Sequence, residues 1–125
     1  MKHPERVADY LEHIAEAIDR ATGYIDPFQT LEALLRDHKT QDAIVRNIEI
    51  IGEAAGNIQK MDPDFVANHP ELPWVEMRGM RNKIIHNYFD VDWEVVWSTV
   101  KDDLSRLKQQ IDALLLEQRH GHRQD

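Results

Sequence analysis

The sequence predicts an all-α fold, an antiparallel up-and-down bundle of about five helices. Three observations point there. Apolar residues recur at three-and-four spacing through most of the 125 residues, alternating strand-like patterns are absent, and proline clusters interrupt the helical period at few places. The first helix is expected from about Pro4, a first-turn position suited to proline, to about Thr22, with Val7, Leu11, Ile14 and Ile18 on one stripe and Gly23 ending it. A short second helix follows Pro27 and should bury Phe28, Leu31, Leu34 and Leu35. The third starts near Thr40, expected as its N-cap, and runs to about Lys60. Pro63, Pro70 and Pro73 then mark Met61 to Leu72 as the main loop. A fourth helix is expected from about Pro73 to Phe89. Beyond a turn at Asp90 to Asp92, a long fifth helix carries Val96, Val100, Leu104, Leu107, Ile111 and Leu114 in a near-heptad seam. One domain over residues 1–119 with a flexible tail at 120–125 accounts for the chain.

Composition narrows the function. An apolar share of 42% suffices for one core, and a formal charge of −8 disfavours indiscriminate attraction to phosphate backbones, so nucleic-acid contact needs a local basic patch. The absence of cysteine excludes disulfides, thiolate metal sites and a cysteine nucleophile. The N-terminus lacks the apolar stretch of a secretion signal, and no run approaches the roughly 20 apolar residues of a membrane span, so a cytoplasmic protein is expected. His120 and His122 lie in the tail without companion ligands, and no metal site or cofactor is expected.

The polar residues that break the helical pattern are more informative. Winding the fourth helix at about 100° per residue places Trp74, Met77, Met80, Ile84, Ile85 and Tyr88 on one apolar arc, and Arg81 falls inside it. A guanidinium there must be paired or face a wet crevice. An ion pair with an acidic residue of the third helix is one explanation; a functional groove is the other. Arg78, Asn82 and His86 run one turn apart along the flank of the arc. Tyr88, seven residues beyond Arg81, returns to nearly the same angle. In the third helix, Asn47 interrupts the apolar face and must find hydrogen-bond partners, either to brace a polar site on the facing helix or to bond a nearby carbonyl. Arg46, Glu49 and Glu53 read as a solvated salt-bridge ladder on the opposite face. Gly52 and Gly56, four apart, suit close helix approach, and Trp93 and Trp97 suit packing.

Written as Arg81-x4-His86-x-Tyr88, the segment resembles the HEPN signature, an arginine followed by four to six residues and a histidine. The surrounding blocks resemble the HepT-like branch of that superfamily. They are Arg46-Asn47-Ile48-Glu49-Ile50-Ile51-Gly52-Glu53-Ala54-Ala55, then His69-Pro70-Glu71-Leu72-Pro73-Trp74, then Gly79-Met80-Arg81-Asn82-Lys83, and finally Tyr88-Phe89-Asp90-Val91-Asp92 through Val96-Trp97. The likeness covers about Tyr10 to Leu107. It implies a HEPN-like bundle that is the toxin of a toxin–antitoxin pair, a homodimer acting as a metal-independent endoribonuclease with Arg81 and His86 as catalytic residues in a shared cleft. It further implies a small nucleotidyltransferase antitoxin that neutralises the toxin by transferring AMP to Tyr88.

That chemistry suits the residues. Histidine titrates near neutrality and can move the protons of RNA cleavage, while arginine stays charged and offers a planar fork to two phosphate oxygens. Asn82 and Asn47 are the expected supporting residues, and Arg78, Lys83 and Arg46 supply the local positive patch for phosphate and RNA. The competing reading is a non-catalytic interaction module that binds a nucleotidyltransferase or a nucleotide through the Arg81/His86 groove. The acidic charge and the lack of an aromatic base-stacking platform favour that alternative.

Overall fold

The computed structural model describes residues 6–87 and 90–123, with side chains described for all of these except 87 and 119–123. Its architecture is all-α, as the periodicity predicts, with one two-residue-deep hairpin added. Helix α1 spans Val7–Ile25 and buries Leu11, Ile14 and Ile18. Pro4 lies outside the described residues. The helix passes through Gly23, which has ordinary negative φ, because Ile25 is needed in the core; Pro27 two residues on prevents further helix. Helix α2 is a single turn, Leu31–Leu34, capped by the Thr30 hydroxyl, which accepts from the Ala33 amide at 3.2 Å. Leu34 is buried there, but Leu35 is exposed rather than packed.

Helix α3, His38–Met61, is the central element and packs on both α1 and α5. Its N-cap is Asp37, whose carboxylate accepts from the Thr40 amide at 3.0 Å, so Thr40 sits inside the first turn rather than capping it. Ile44, Ile48, Ile51, Ala54, Ala55 and Ile58 are all buried. The expected loop contains helix α4, Pro63–Asn68. Asp62 accepts from the Phe65 amide at 3.0 Å and Pro63 takes the first-turn position, a start signal that the neighbouring prolines obscure. Trp74 Nε1 donates to the His69 carbonyl at 2.8 Å and its ring meets Phe65 edge-on at 6.2 Å, which fastens α4 to the start of α5.

Helix α5 is Trp74–Ile84 and ends five residues before Phe89, where the period suggests its end. Ile85–Asn87 form strand β1, antiparallel to β2, Asp90–Val91, with Ile85 opposite Val91. The Asp92 amide closes the hairpin on the Ile84 carbonyl at 2.7 Å. Asp92 then caps α6, Trp93–Ser98, through the Val95 amide. A π-helical stretch at Thr99–Asp103 joins α6 to α7, Leu104–Arg123, so helical backbone continues past residue 119. The π turn has a sequence cause. Val96, Val100 and Leu104 are all buried at spacings of four, and each such step overshoots an α-helical turn by about 40°. The wider turn, in which the Leu104 amide bonds the Thr99 carbonyl, returns them to one side. Among the described residues no helix is long and apolar enough to cross a membrane.

The two glycines of α3 differ. A Cβ on Gly52 would lie 3.2 Å from the Met77 carbonyl oxygen, whereas one on Gly56 meets nothing within 4 Å. Only Gly52 is therefore a close-approach residue. Alanine gains about 0.5–1 kcal/mol over glycine in a helix, but crowding against backbone costs about 1–3 kcal/mol. Gly56→Ala is expected to raise the urea midpoint and Gly52→Ala to lower it; two equal, stabilising shifts would show that α5 does not press on Gly52.

Candidate active site

The polar edge of α5 is exposed along its length: Arg78, Arg81, Asn82 and Lys83 all reach solvent, as does His86 just beyond the helix. Arg81 leaves the apolar arc into which an ideal winding places it, since its side chain is 52% exposed. Trp74, Met77, Ile84 and Ile85 form the buried face, and Met80 is half-buried.

The close approach at Gly52 determines what Arg81 meets. Moving from Met77 to Arg81 along α5 corresponds to moving from Gly52 back to Glu49 along α3, as antiparallel neighbours do. Arg81 Nε donates to Glu49 Oε2 at 2.9 Å. Glu49 is thus withdrawn from the expected ladder with Arg46 and Glu53 and becomes a contact between helices. A partly exposed pair of this kind contributes about 0–1 kcal/mol to stability, so the fold alone does not require it. The sequence offers an acidic residue of the third helix as one partner for Arg81 but places Glu49 in the ladder, because a pairing across 32 residues is not fixed by either helix alone. The signal available was the acidic residue two positions after the buried Asn47, on the other side of the same helix.

His86 is placed by the strand rather than by the helix. Strand alternation turns Ile85 inward, where it is 8% exposed, and His86 outward. The imidazole lines a shallow cleft with Leu35 and Trp93, rimmed by the carboxylates of Asp90 and Glu94. Arg81 is not part of that cleft; it reaches the α3 side. Within one protomer the two residues share an end of α5 but face different neighbours.

The remaining expected residues disperse further. Lys83 lies along an apolar cleft of about 340 Å³ between Met77, Met80 and Ile84 of α5 and Leu104 and Leu107 of α7. Asn47 is buried, its Nδ2 donating to the Ala43 carbonyl at 2.8 Å, and its Oδ1 has no partner among the described residues. With Arg46 it lines a groove between α1 and α3 that includes His13 and Arg20. Asn47 and Glu49 lie about 200° apart around α3, so Asn47 faces away from the side on which Glu49 meets Arg81. Tyr88 lies outside the described residues.

Comparison with known proteins adds independent findings. Residues 14–114 match the model of the family described as "Ribonuclease HepT-like". The protein named "Probable ribonuclease HepT" in Thermococcus cleftensis is 49% identical over 106 residues, covering 85% of this chain and 93% of that protein. A protein carrying an RNase name in Caldanaerobacter subterraneus subsp. tengcongensis is 36% identical over 110 residues, covering 85% and 91%. Another from Methanocaldococcus jannaschii is 33% identical over 107 residues, covering 86% and 82%. No solved structure matches the chain.

Proposed function

Because the chain belongs to the HepT-like ribonuclease family, we propose that it is a metal-independent endoribonuclease that works as a homodimer, with Arg81 and His86 as its catalytic residues. The observation that carries this reading is the exposed cationic and imidazole edge at the end of α5, where a second copy can meet it. One histidine cannot be base and acid in the same step; two copies supply both. In the reaction, one His86 removes the 2′-hydroxyl proton of RNA and the 2′-oxygen bonds to phosphorus. The bond from phosphorus to the 5′-oxygen breaks, and the partner's His86 protonates that leaving oxygen. The products are a 2′,3′-cyclic phosphate and a 5′-hydroxyl. Arg81 binds the phosphate oxygens as charge builds on them, with Asn82 orienting the reacting groups and Arg78 and Lys83 holding the strand. Arg46 and Asn47, in the α1 groove, extend the phosphate contacts and support the fold of α3.

The biological setting we propose is a toxin–antitoxin pair. A small nucleotidyltransferase would transfer AMP from ATP to the Tyr88 hydroxyl, the phenol oxygen bonding to the α-phosphorus as pyrophosphate leaves and the phenol proton is lost, and a bulky anion on that residue would compete with the substrate phosphate. Expression of the chain alone is expected to arrest growth, and co-expression with its nucleotidyltransferase to relieve the arrest while the protein's mass rises by whole AMP units. The contrary result is relief without added mass, or added mass that survives Tyr88→Phe. The interaction-module reading keeps one supporting observation, the different surroundings of Arg81 and His86 within a protomer. It predicts a protein silent on RNA that still binds the nucleotidyltransferase.

A further inference from the structure

We infer that Glu49 is the positioning residue of the catalytic arginine, fixing the Arg81 guanidinium by its Nε edge so that its end edge is presented to the RNA phosphate; this rests on the ribonuclease reading given above. The geometry specifies the role. A guanidinium has a side edge containing Nε and an end edge formed by its two terminal amino groups, and each can grip two oxygens. Glu49 Oε2 takes the Nε–H at 2.9 Å, a bond on the side edge. Among the described residues no group takes the end edge, the one a phosphate's two non-bridging oxygens fit.

The two side chains are also unequal in the way such a role needs. Glu49 is the more sheltered partner, with 29% of its side chain exposed against 52% for Arg81. It stands on α3, the central helix, one turn from the Gly52 contact that sets the distance to α5. The carboxylate is therefore the fixed member and the arginine the member that is held. Without it, a side chain with several rotatable bonds would sample many orientations, and misplacement of a catalytic group by about 1 Å costs on the order of a hundredfold in rate. Glu49 touches neither substrate nor reacting atoms in this account; it acts through Arg81.

The substitutions Glu49→Ala and Glu49→Gln separate this role from the alternatives. Alanine removes the acceptor, and kcat on RNA is expected to fall roughly ten- to a hundredfold with KM changed less than about threefold. Glutamine keeps an acceptor oxygen, so kcat should recover to within about threefold of the parent. The melting temperature should stay near the parent's in both, and the Arg81 Nε–H NMR resonance should be lost or shifted in alanine and retained in glutamine. A rise in kcat for Glu49→Ala would mean that the pair is a latch holding Arg81 away from substrate and would overturn the inference. An unchanged kcat, with or without a lower melting temperature, would assign Glu49 to structure and overturn it equally. Should the parent not cut RNA at all, the ribonuclease reading fails by itself. Glu49 is then decided by binding of a 2′-O-methyl RNA oligonucleotide: affinity lost in alanine and kept in glutamine supports the positioning role, and equal affinity in all three rejects it.

Discussion

His86→Ala is expected to reduce RNA cleavage by about 10²–10⁴-fold while leaving the fold intact. The size of the effect follows from the role: an imidazole can both accept a proton and return it, as the two halves of the cleavage require. The fold should not suffer, because the side chain is exposed and its strand is held by Ile85 and by the bond from the Asp92 amide to the Ile84 carbonyl. Circular dichroism and melting should match the parent. Arg81→Lys should also be poor, since an ammonium keeps the charge but loses the planar fork and the Nε donor to Glu49. If His86→Ala retains full cleavage, the proton chemistry belongs elsewhere.

Trp74→Ala is the second large effect, on stability rather than chemistry. The indole is 5% exposed, meets Phe65, and donates from Nε1 to the His69 carbonyl. Removing it leaves a cavity at the joint between α4 and α5 and takes from the His69 carbonyl the shorter of its two hydrogen bonds, the other coming from the Leu72 amide at 3.3 Å. A cost of about 3–5 kcal/mol is expected, a large part of the stability of a domain this size. Trp74→Phe keeps most of the volume and loses the hydrogen bond, so it should fall well short of that, roughly 1–2 kcal/mol. Urea unfolding measures both; equal losses would show that the hydrogen bond, rather than packing, holds the joint.

The core was legible in the sequence and the surroundings of the site were only partly so. Leu11, Ile14 and Ile18, then Ile44, Ile48, Ile51 and Ile58 of α3, and the seam from Val96 to Leu114 all follow from helical spacing, because burial of a helix face is a local periodic property. The end of α5 is different. Ile84-Ile85 satisfies a helical arc and a strand equally well, and the choice is made by pairing of Ile85 with Val91, a contact outside the helical window. Arg81 could be recognised as anomalous in the apolar arc, and an acidic partner on the third helix was one explanation for it. Its pairing with Glu49 could not be assigned, because a helix read alone reveals which residues share a face but not which residue of another helix faces them. Asn47 shows the same limit: its burial was legible, while its bond to Ala43 and its place in the α1 groove depend on how α1 and α3 cross. The π turn at Thr99–Asp103 left a trace in the two spacings of four, which a heptad reading absorbs.

The proposed activity is one act, cleavage of RNA by an imidazole and a guanidinium without metal. Its most direct measurement is incubation of the purified protein with single-stranded RNA in excess chelator, with product ends identified. Fragments ending in 2′,3′-cyclic phosphate and 5′-hydroxyl, absent with His86→Ala and with Arg81→Ala and absent from a fully 2′-deoxy substrate, are the predicted result. Cleavage that requires a divalent metal, that leaves 5′-phosphate ends, or that persists in both variants would contradict it.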